Sequence, residues 1–215
     1  MQPLSENQFT TGYVDQEIKL ADRTFHLRVP DDPDLVLEQA ARDGGHDPYW
    51  SVLWSAARPT AEVVLQTDWT GRQTVLELGC GMGLTGLAAL MCGLHVTFTD
   101  AVPTAVRLAL HNAQRNGFSH CDGHVLDWNT ATRASEDVDQ FDVILASDVL
   151  YERKLHLVLL KLLRQRLTDD GICLIGDPFR QAGDRFIATA QAAGWVVSQT
   201  ERPDRTFRCI QLQQD

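Results

Sequence analysis

The stretch Val75-Leu76-Glu77-Leu78-Gly79-Cys80-Gly81-Met82-Gly83-Leu84-Thr85-Gly86 decides the fold of this chain. It reads as a buried strand, a glycine-rich turn and the start of a helix. That arrangement brings bare backbone N–H groups against a nucleotide-like ligand. Glu77, two residues before the first glycine, sets the sign of the ligand's charge. A dinucleotide fold carries a phosphate at this turn, which a neighbouring carboxylate would repel; a carboxylate here fits a cation.

Outward from this turn the chain alternates. Strands are expected at 74–78, 95–99, 123–126, 141–146 and 171–175, and helices at 59–66, 84–91, 103–116, 155–167 and 184–193. Residues 195–201 and 206–212 close the chain as a hairpin around Arg202-Pro203-Asp204-Arg205. Strands separated by helices predict βαβ units, hence an α/β, Rossmann-like, doubly wound and mostly parallel sheet covered on both faces, with an antiparallel strand at or near one edge. Upstream, residues 13–20 and 23–29 read as two strands around Ala21-Asp22. Asp31-Asp32-Pro33 then opens a helix that Gly44-Gly45 ends, and the aromatic, irregular segment 46–54 follows. This predicts a small β-hairpin and helix extension over 1–47 and a main domain over 48–215.

In such open sheets the ligand lies beyond the carboxyl ends of the strands. The chemically sharp residues all fall there: Glu77 to Gly83, Asp100, Asp127-Trp128, Asp148 and Asp177.

Composition narrows the function. In 215 residues the hydrophobic share is 44% and the formal net charge is −10, so a core is affordable and the surface is acidic. An acidic surface repels a phosphate backbone, which argues against nucleic acid as partner. The five cysteines form no C-x-x-C pair and the histidines lie at no ligand-like spacing, so neither metal nor a disulfide framework is expected. The start shows no basic-then-apolar signal and no run is apolar enough to span a bilayer. The expectation is a cytoplasmic protein with no membrane association.

From about residue 48 onward the sequence resembles the class I, seven-β-strand methyltransferases that use S-adenosylmethionine (SAM). The segment Glu77-Leu78-Gly79-Cys80-Gly81-Met82-Gly83 is similar to that family's first motif, Phe98-Thr99-Asp100 to its acidic strand end, and Val125-Leu126-Asp127-Trp128 to its adenine step. Ser147-Asp148-Val149-Leu150-Tyr151 resembles the D-x-x-Y motif of the protein-lysine methyltransferase branch, the nicotinamide-N-methyltransferase-like group around the lysine methyltransferases of the electron-transfer flavoprotein β-subunit. Tyr49-Trp50-Ser51-Val52-Leu53-Trp54 and Ile175-Gly176-Asp177-Pro178 are similar to segments of the same branch.

The resemblance implies a seven-stranded sheet and SAM as cofactor. It implies that Gly79, Cys80, Gly81 and Gly83 hold the methionine part, with Glu77 meeting its ammonium, and that Asp100 holds the ribose hydroxyls. Asp127 would accept the adenine amino group and Trp128 stack on the ring, while Trp54 and Ser147 border the cofactor. Asp148 and Tyr151 become the catalytic candidates: methyl transfer is an in-line displacement, and a neutral amine must be held against the methyl group. Each residue also has a structural alternative. Asp100 or Asp148 can cap the next helix, Tyr151 can pack on the helix after Asp148, Asp127-Trp128 can be a polar loop with a core tryptophan, Trp50 and Trp54 can be core, and His111 and Asn112 read as surface or supporting residues.

The function that follows is N-methylation of a lysine in a protein. The alternatives are a small-molecule N-methyltransferase acting on a pyridine or amine, and a non-catalytic SAM-fold interaction protein. A nucleic-acid base methyltransferase is disfavoured, because Ser147-Asp148-Val149-Leu150-Tyr151 replaces the Asn/Asp-Pro-Pro-Tyr/Phe motif of that chemistry.

Overall fold

The structure, a computed structural model, describes residues 12–36, 38, 48–133 and 138–214. The expected helix end at Gly44-Gly45, with His46 and Asp47 of the aromatic segment, lies outside the described residues. Two antiparallel strands, β1 (Tyr13–Leu20) and β2 (Arg23–Pro30), pair from Tyr13 with Pro30 to Leu20 with Arg23. The turn falls at Ala21-Asp22 as expected, with Ala21 at φ +50°. Residues 33–36 are helical, and Asp32 caps them by accepting the Leu35 N–H at 3.0 Å.

One seven-stranded sheet carries the rest, built from β3 (Thr74–Leu78), β4 (His95–Asp100), β5 (Asp122–Val125), β6 (Phe141–Ser147), β7 (Leu167–Asp177), β8 (Trp195–Glu201) and β9 (Arg208–Gln214). Their order is β5-β4-β3-β6-β7-β9-β8. Neighbours from β5 through β7 are parallel, and β9 runs antiparallel to both β7 and β8. The antiparallel strand is therefore one place in from the edge. The expected hairpin strand at 206–212 begins at Arg208, because the Asp204 carboxylate takes the Thr206 N–H and hydroxyl and keeps Thr206 in the turn.

The alternation of side chains along the central strands sorts the core into two layers. Val75, Val143, Leu145 and Leu174 face one side, under α1 (Ala57–Gln66), α2 (Leu84–Met91) and α3 (Pro103–Arg115). Leu76, Leu78, Ile144, Ala146 and Ile175 face the other. There they meet α5 (His156–Arg166) and α6 (Gln181–Ala192) through Leu159, Leu162, Leu163, Phe186 and Ala190. A short helix, α4 (Trp128–Ala131), was not apparent from the sequence because it is only four residues long.

From β3 the chain winds outward to β4 and β5, then crosses back to β6 on the other side of β3. The crevice at the carboxyl ends of β3 and β6 is the topological switch point. The β1–β2 hairpin reaches this region through α3. Asn112 is fully buried: its Oδ1 accepts the Arg28 N–H at 2.7 Å, and its Nδ2 donates to Arg28 O at 3.2 Å and Met82 O at 3.0 Å. One side chain thus ties the hairpin to the glycine turn, where the sequence suggested only a supporting or surface position. Removing it leaves the buried Met82 carbonyl and the part-buried Arg28 N–H and carbonyl without this partner. Asn112→Ala is expected to lower the unfolding free energy by about 2–4 kcal/mol in urea titration, since each buried group so stranded costs about 1–3 kcal/mol; a loss below about 0.5 kcal/mol would contradict this role.

Candidate active site

The glycine turn owes its shape to left-handed backbone. Gly83 has φ +82°, and a Cβ there would come within 2.9 Å of the Ala109 side chain, so only glycine starts α2 this close to α3. Cys80 N–H donates to Thr99 O at 2.9 Å, pinning the turn to the end of β4.

Glu77 lies beneath the turn, on the α2 face of β3, and is only 3% exposed. Its Oε2 accepts the Gly86 N–H at 3.1 Å. Gly86 has to be glycine for this to happen, because a Cβ would overlap both the Phe98 ring and the Glu77 carboxylate. Burial pushes the Glu77 carboxyl up to about 8 despite the Gly86 bond, and the nearby Asp100 adds to the rise. Asp100, at the end of β4, accepts the Gly81 N–H at 3.1 Å on Oδ2 and the Val102 N–H at 3.0 Å on Oδ1. Burial raises its carboxyl too, with the backbone N–H groups pulling the other way. Both acids therefore brace the turn as well as bordering the space beside it. The Cys80 thiol is pushed well above its usual value, first by burial and then by these two acids, which leaves it an inert wall group.

That space is a cavity of about 280 Å³ running along the carboxyl ends of β3, β4, β5 and β6. It brings together Trp54, Glu77, Gly79, Cys80, Gly81, Gly83, Asp100, Asp127, Trp128, Ser147, Asp148 and Tyr151, whereas Asp177, the remaining strand-end carboxylate singled out in the sequence, is buried away from it against Arg208. Among the described residues no group of three or more His, Cys, Asp or Glu is arranged to hold a metal. At one end Leu126 and Trp128 give an apolar wall. Asp127 beside them caps α4, its Oδ1 accepting the Asn129 N–H at 2.7 Å and the Thr130 N–H at 3.2 Å. It thus has a structural role that the sequence did not disclose.

At the other end stands Asp148, buried and in a left-handed conformation at φ +60°. Such a conformation is uncommon outside glycine, though aspartate and asparagine tolerate it best. It is over-determined here. The Asp148 N–H donates to Gly176 O at 3.0 Å, its Oδ2 accepts the Ala56 N–H at 2.7 Å, and its Oδ1 pairs with the Arg180 guanidinium at 2.6 Å. It does not cap the helix that follows. Each carboxylate oxygen keeps a second lone pair for a ligand.

Tyr151 is 45% exposed rather than packed away. Its ring meets Tyr49 edge-on at 5.7 Å, and Tyr49 meets Trp54 edge-on at 5.6 Å. These three rings rim the cavity beside Asp148. Trp50 also lines the cavity while packing against Met82 and Leu108, so the two tryptophans split between rim and wall. The sequence did not reveal Arg180 or the Ala56 N–H as partners of Asp148. Arg180 lies three residues beyond Asp177, on a loop whose path no local pattern dictates.

The family model for lysine methyltransferases matches residues 31–192. A protein-lysine N-methyltransferase of Mus musculus, EEF2KMT, is 31% identical over 166 residues, which cover 69% of this chain and 48% of that one. The electron transfer flavoprotein beta subunit lysine methyltransferase of Xenopus laevis is 29% identical over 137 residues, covering 62% of this chain and 54% of that one. The chain thus spans about half the length of the curated relatives it matches. The solved structure of a ribosomal protein L11 methylase from Lactobacillus delbrueckii subsp. bulgaricus superposes with a TM-score of 0.61 at 20% identity, over 79% of this chain and 83% of that one, and so shares its fold.

Glu77 gives this site a pH signature. Its carboxyl rises from 4.5 to about 8 on folding, so folding favours the protonated form. The stability this contributes is complete below about pH 4.5 and is lost as the pH rises through about 8. Ligand-free protein is therefore expected to lose stability between these limits, by up to about 1.4 kcal/mol per pH unit. Urea unfolding should show a shallower decline for Glu77→Gln; identical declines in the two proteins would contradict the burial of an uncompensated carboxylate.

Proposed function

The chain belongs to the lysine methyltransferase family, and we propose that it transfers a methyl group from SAM to the ε-amine of a lysine in a protein. The observation that carries this reading is that the glycine turn and the Asp148–Tyr151 pair border one continuous cavity. Donor and acceptor can therefore meet without further rearrangement of the sheet.

The residues present fit SAM. Gly79 and Gly81 leave backbone accessible at the cavity, which Cys80 and Gly83 also border, and the buried Glu77 and Asp100 form an acidic pole that suits a cationic methionine end and ribose hydroxyls and opposes a pyrophosphate. Leu126 and Trp128 offer an apolar face to an adenine, with Asp127 at its edge. Trp54 and Ser147 border the path to the acceptor end. Bound there, SAM supplies a methyl group on a sulfonium sulfur.

The chain's own residues do the rest by positioning. Asp148 accepts a hydrogen bond from the acceptor amine and fixes the direction of its lone pair. Tyr151, Tyr49 and Trp54 sleeve the alkyl stem of the acceptor, and their π-faces attract its ammonium as it approaches. All three rings are at least 36% exposed. A rim this open suits a long side chain presented by a macromolecule better than a small amine enclosed whole. The acidic surface, with a net charge of −10, complements a lysine-bearing basic protein.

The test has two parts. Calorimetry should show binding of SAM and of S-adenosylhomocysteine but not of NAD, with Asp100→Ala weakening SAM binding by on the order of 1–3 kcal/mol. Transfer of labelled methyl groups into extract proteins should end on lysine, and Asp148→Asn should slow it by roughly ten- to a thousand-fold while leaving SAM affinity within a few-fold. Asparagine also tolerates the left-handed backbone, so the fold should survive. Tyr151→Phe should be milder. Equal rates for parent and Asp148→Asn remove Asp148 from the mechanism, and label found only on free amines moves the assignment to a small-molecule acceptor.

A further inference from the structure

We infer that Arg180 is a positioning residue for the reaction: by pairing with Asp148 it cancels the charge of that carboxylate, so that the acceptor amine can be held there as a neutral base. The inference rests on the function proposed above and concerns the same site.

Asp148 is 4% exposed in its side chain and borders the cavity, so an amine brought to it lies against a poorly solvated anion. A lone buried carboxylate favours the protonated, unreactive form of a neighbouring amine, whose ordinary value of about 10.4 already leaves little free base near neutrality. The chemistry needs the opposite. The ammonium gives up its proton to solvent, the nitrogen lone pair forms the N–C bond, and the electron pair of the breaking S–C bond returns to sulfur, leaving a methylammonium and a neutral thioether. Arg180 Nη1, 2.6 Å from Asp148 Oδ1, supplies the cation that lets Asp148 orient the amine without trapping it as an ammonium.

Arg180 is built into this position. Its N–H donates to Asp177 Oδ2 at 3.1 Å, and its carbonyl accepts from Arg208 Nη2 at 3.1 Å. Arg208 is 2% exposed, pairs with Asp177 at 2.8 Å and with Asp184 at 2.6 Å, and so anchors the loop from β9. Gly183 is glycine because a Cβ would collide with Arg208 and Asp177. The Arg180 guanidinium also lies 6.0 Å from the centre of the Trp54 ring, on the rim. The charged and titratable groups around the pair are therefore Asp177 on its own loop, Asp184 on α6 and Arg208 on β9. Arg205 lies over the Phe179 ring next to it, Tyr151 and the Glu152–Lys154 pair follow β6, and Glu77 and Asp100 lie across the cavity. Among the described residues, the segment before α1 contributes Tyr49, Trp50 and Trp54 to the cavity, none of them charged.

The experiment is the pH profile of kcat/KM for methyl transfer into a lysine-bearing protein acceptor, with SAM affinity measured in parallel by calorimetry. Arg180→Gln should move the acid limb upward by about one pH unit, with a loss of about tenfold near neutrality that narrows at alkaline pH, and with SAM affinity within about threefold of the parent. Arg180→Lys should restore the parent limb. Asp148→Asn makes the opposite change, leaving an unopposed cation, and should move the limb downward on its lower overall rate; it gives the answer if Arg180→Gln does not fold. A loss of the same factor at every pH, or limbs that stay in place in both Arg180→Gln and Asp148→Asn, would overturn the inference while leaving the proposed function intact. A parent that transfers no methyl group to protein lysine would remove the function and this inference with it.

Discussion

The site depends on one buried interaction, the hydrogen bond from Gly86 N–H to the Glu77 carboxyl beneath the glycine turn. A carboxyl in the core is costly unless it is bonded or neutral. Here it is bonded to the first turn of α2, and burial raises its pKa so that it carries a proton when no cation is near. Much of the local sequence follows from accommodating it. Gly86 leaves room for it, Phe98 packs against α2 beside it, and the Thr99 hydroxyl ties down the Glu77 carbonyl at 2.6 Å. Asp100 then braces Gly81 from the next strand. The result is a rigid turn whose electrostatics welcome a cation and oppose a phosphate, on a fold type that elsewhere serves dinucleotides.

The acceptor end follows a different logic. It is held by groups from four separate parts of the chain: the side chains of Asp148 after β6, Arg180 after β7 and Arg208 on β9, and the backbone of Ala56 before α1. The left-handed Asp148 and the fully buried Arg208 are each unfavourable alone. Together with Asp177 and Asp184 they form alternating charges that satisfy one another, apart from Asp177 Oδ1, which is buried and has no hydrogen-bond partner among the described residues. The strained Asp148 and its buried ion pairs thus lie beside the cavity.

The sequence was informative where the physics is local. The glycines, the short apolar strands alternating with helices and the carboxylates at strand ends gave the sheet, the turn and the cavity wall, because backbone conformation and strand burial are written in neighbouring residues. It was silent where partners are distant. Asn112 looked peripheral because its partners Arg28 and Met82 lie 84 and 30 residues away. Arg180 could not be linked to Asp148 across 32 residues without knowing that β6 and β7 are neighbours. Asp127 was read for its chemistry alone, since a four-residue helix leaves no periodic trace from which a cap can be inferred.

The central claim is that one cavity holds the donor at the glycine turn and delivers to Asp148. A crystal structure of the protein with S-adenosylhomocysteine tests it most directly. The account predicts the amino-acid end beside Glu77 and the glycine turn, the adenine against Trp128, and the sulfur facing Asp148 and Tyr151. Adenosylhomocysteine bound outside this cavity, or bound within it with the sulfur turned away from Asp148, would contradict the account.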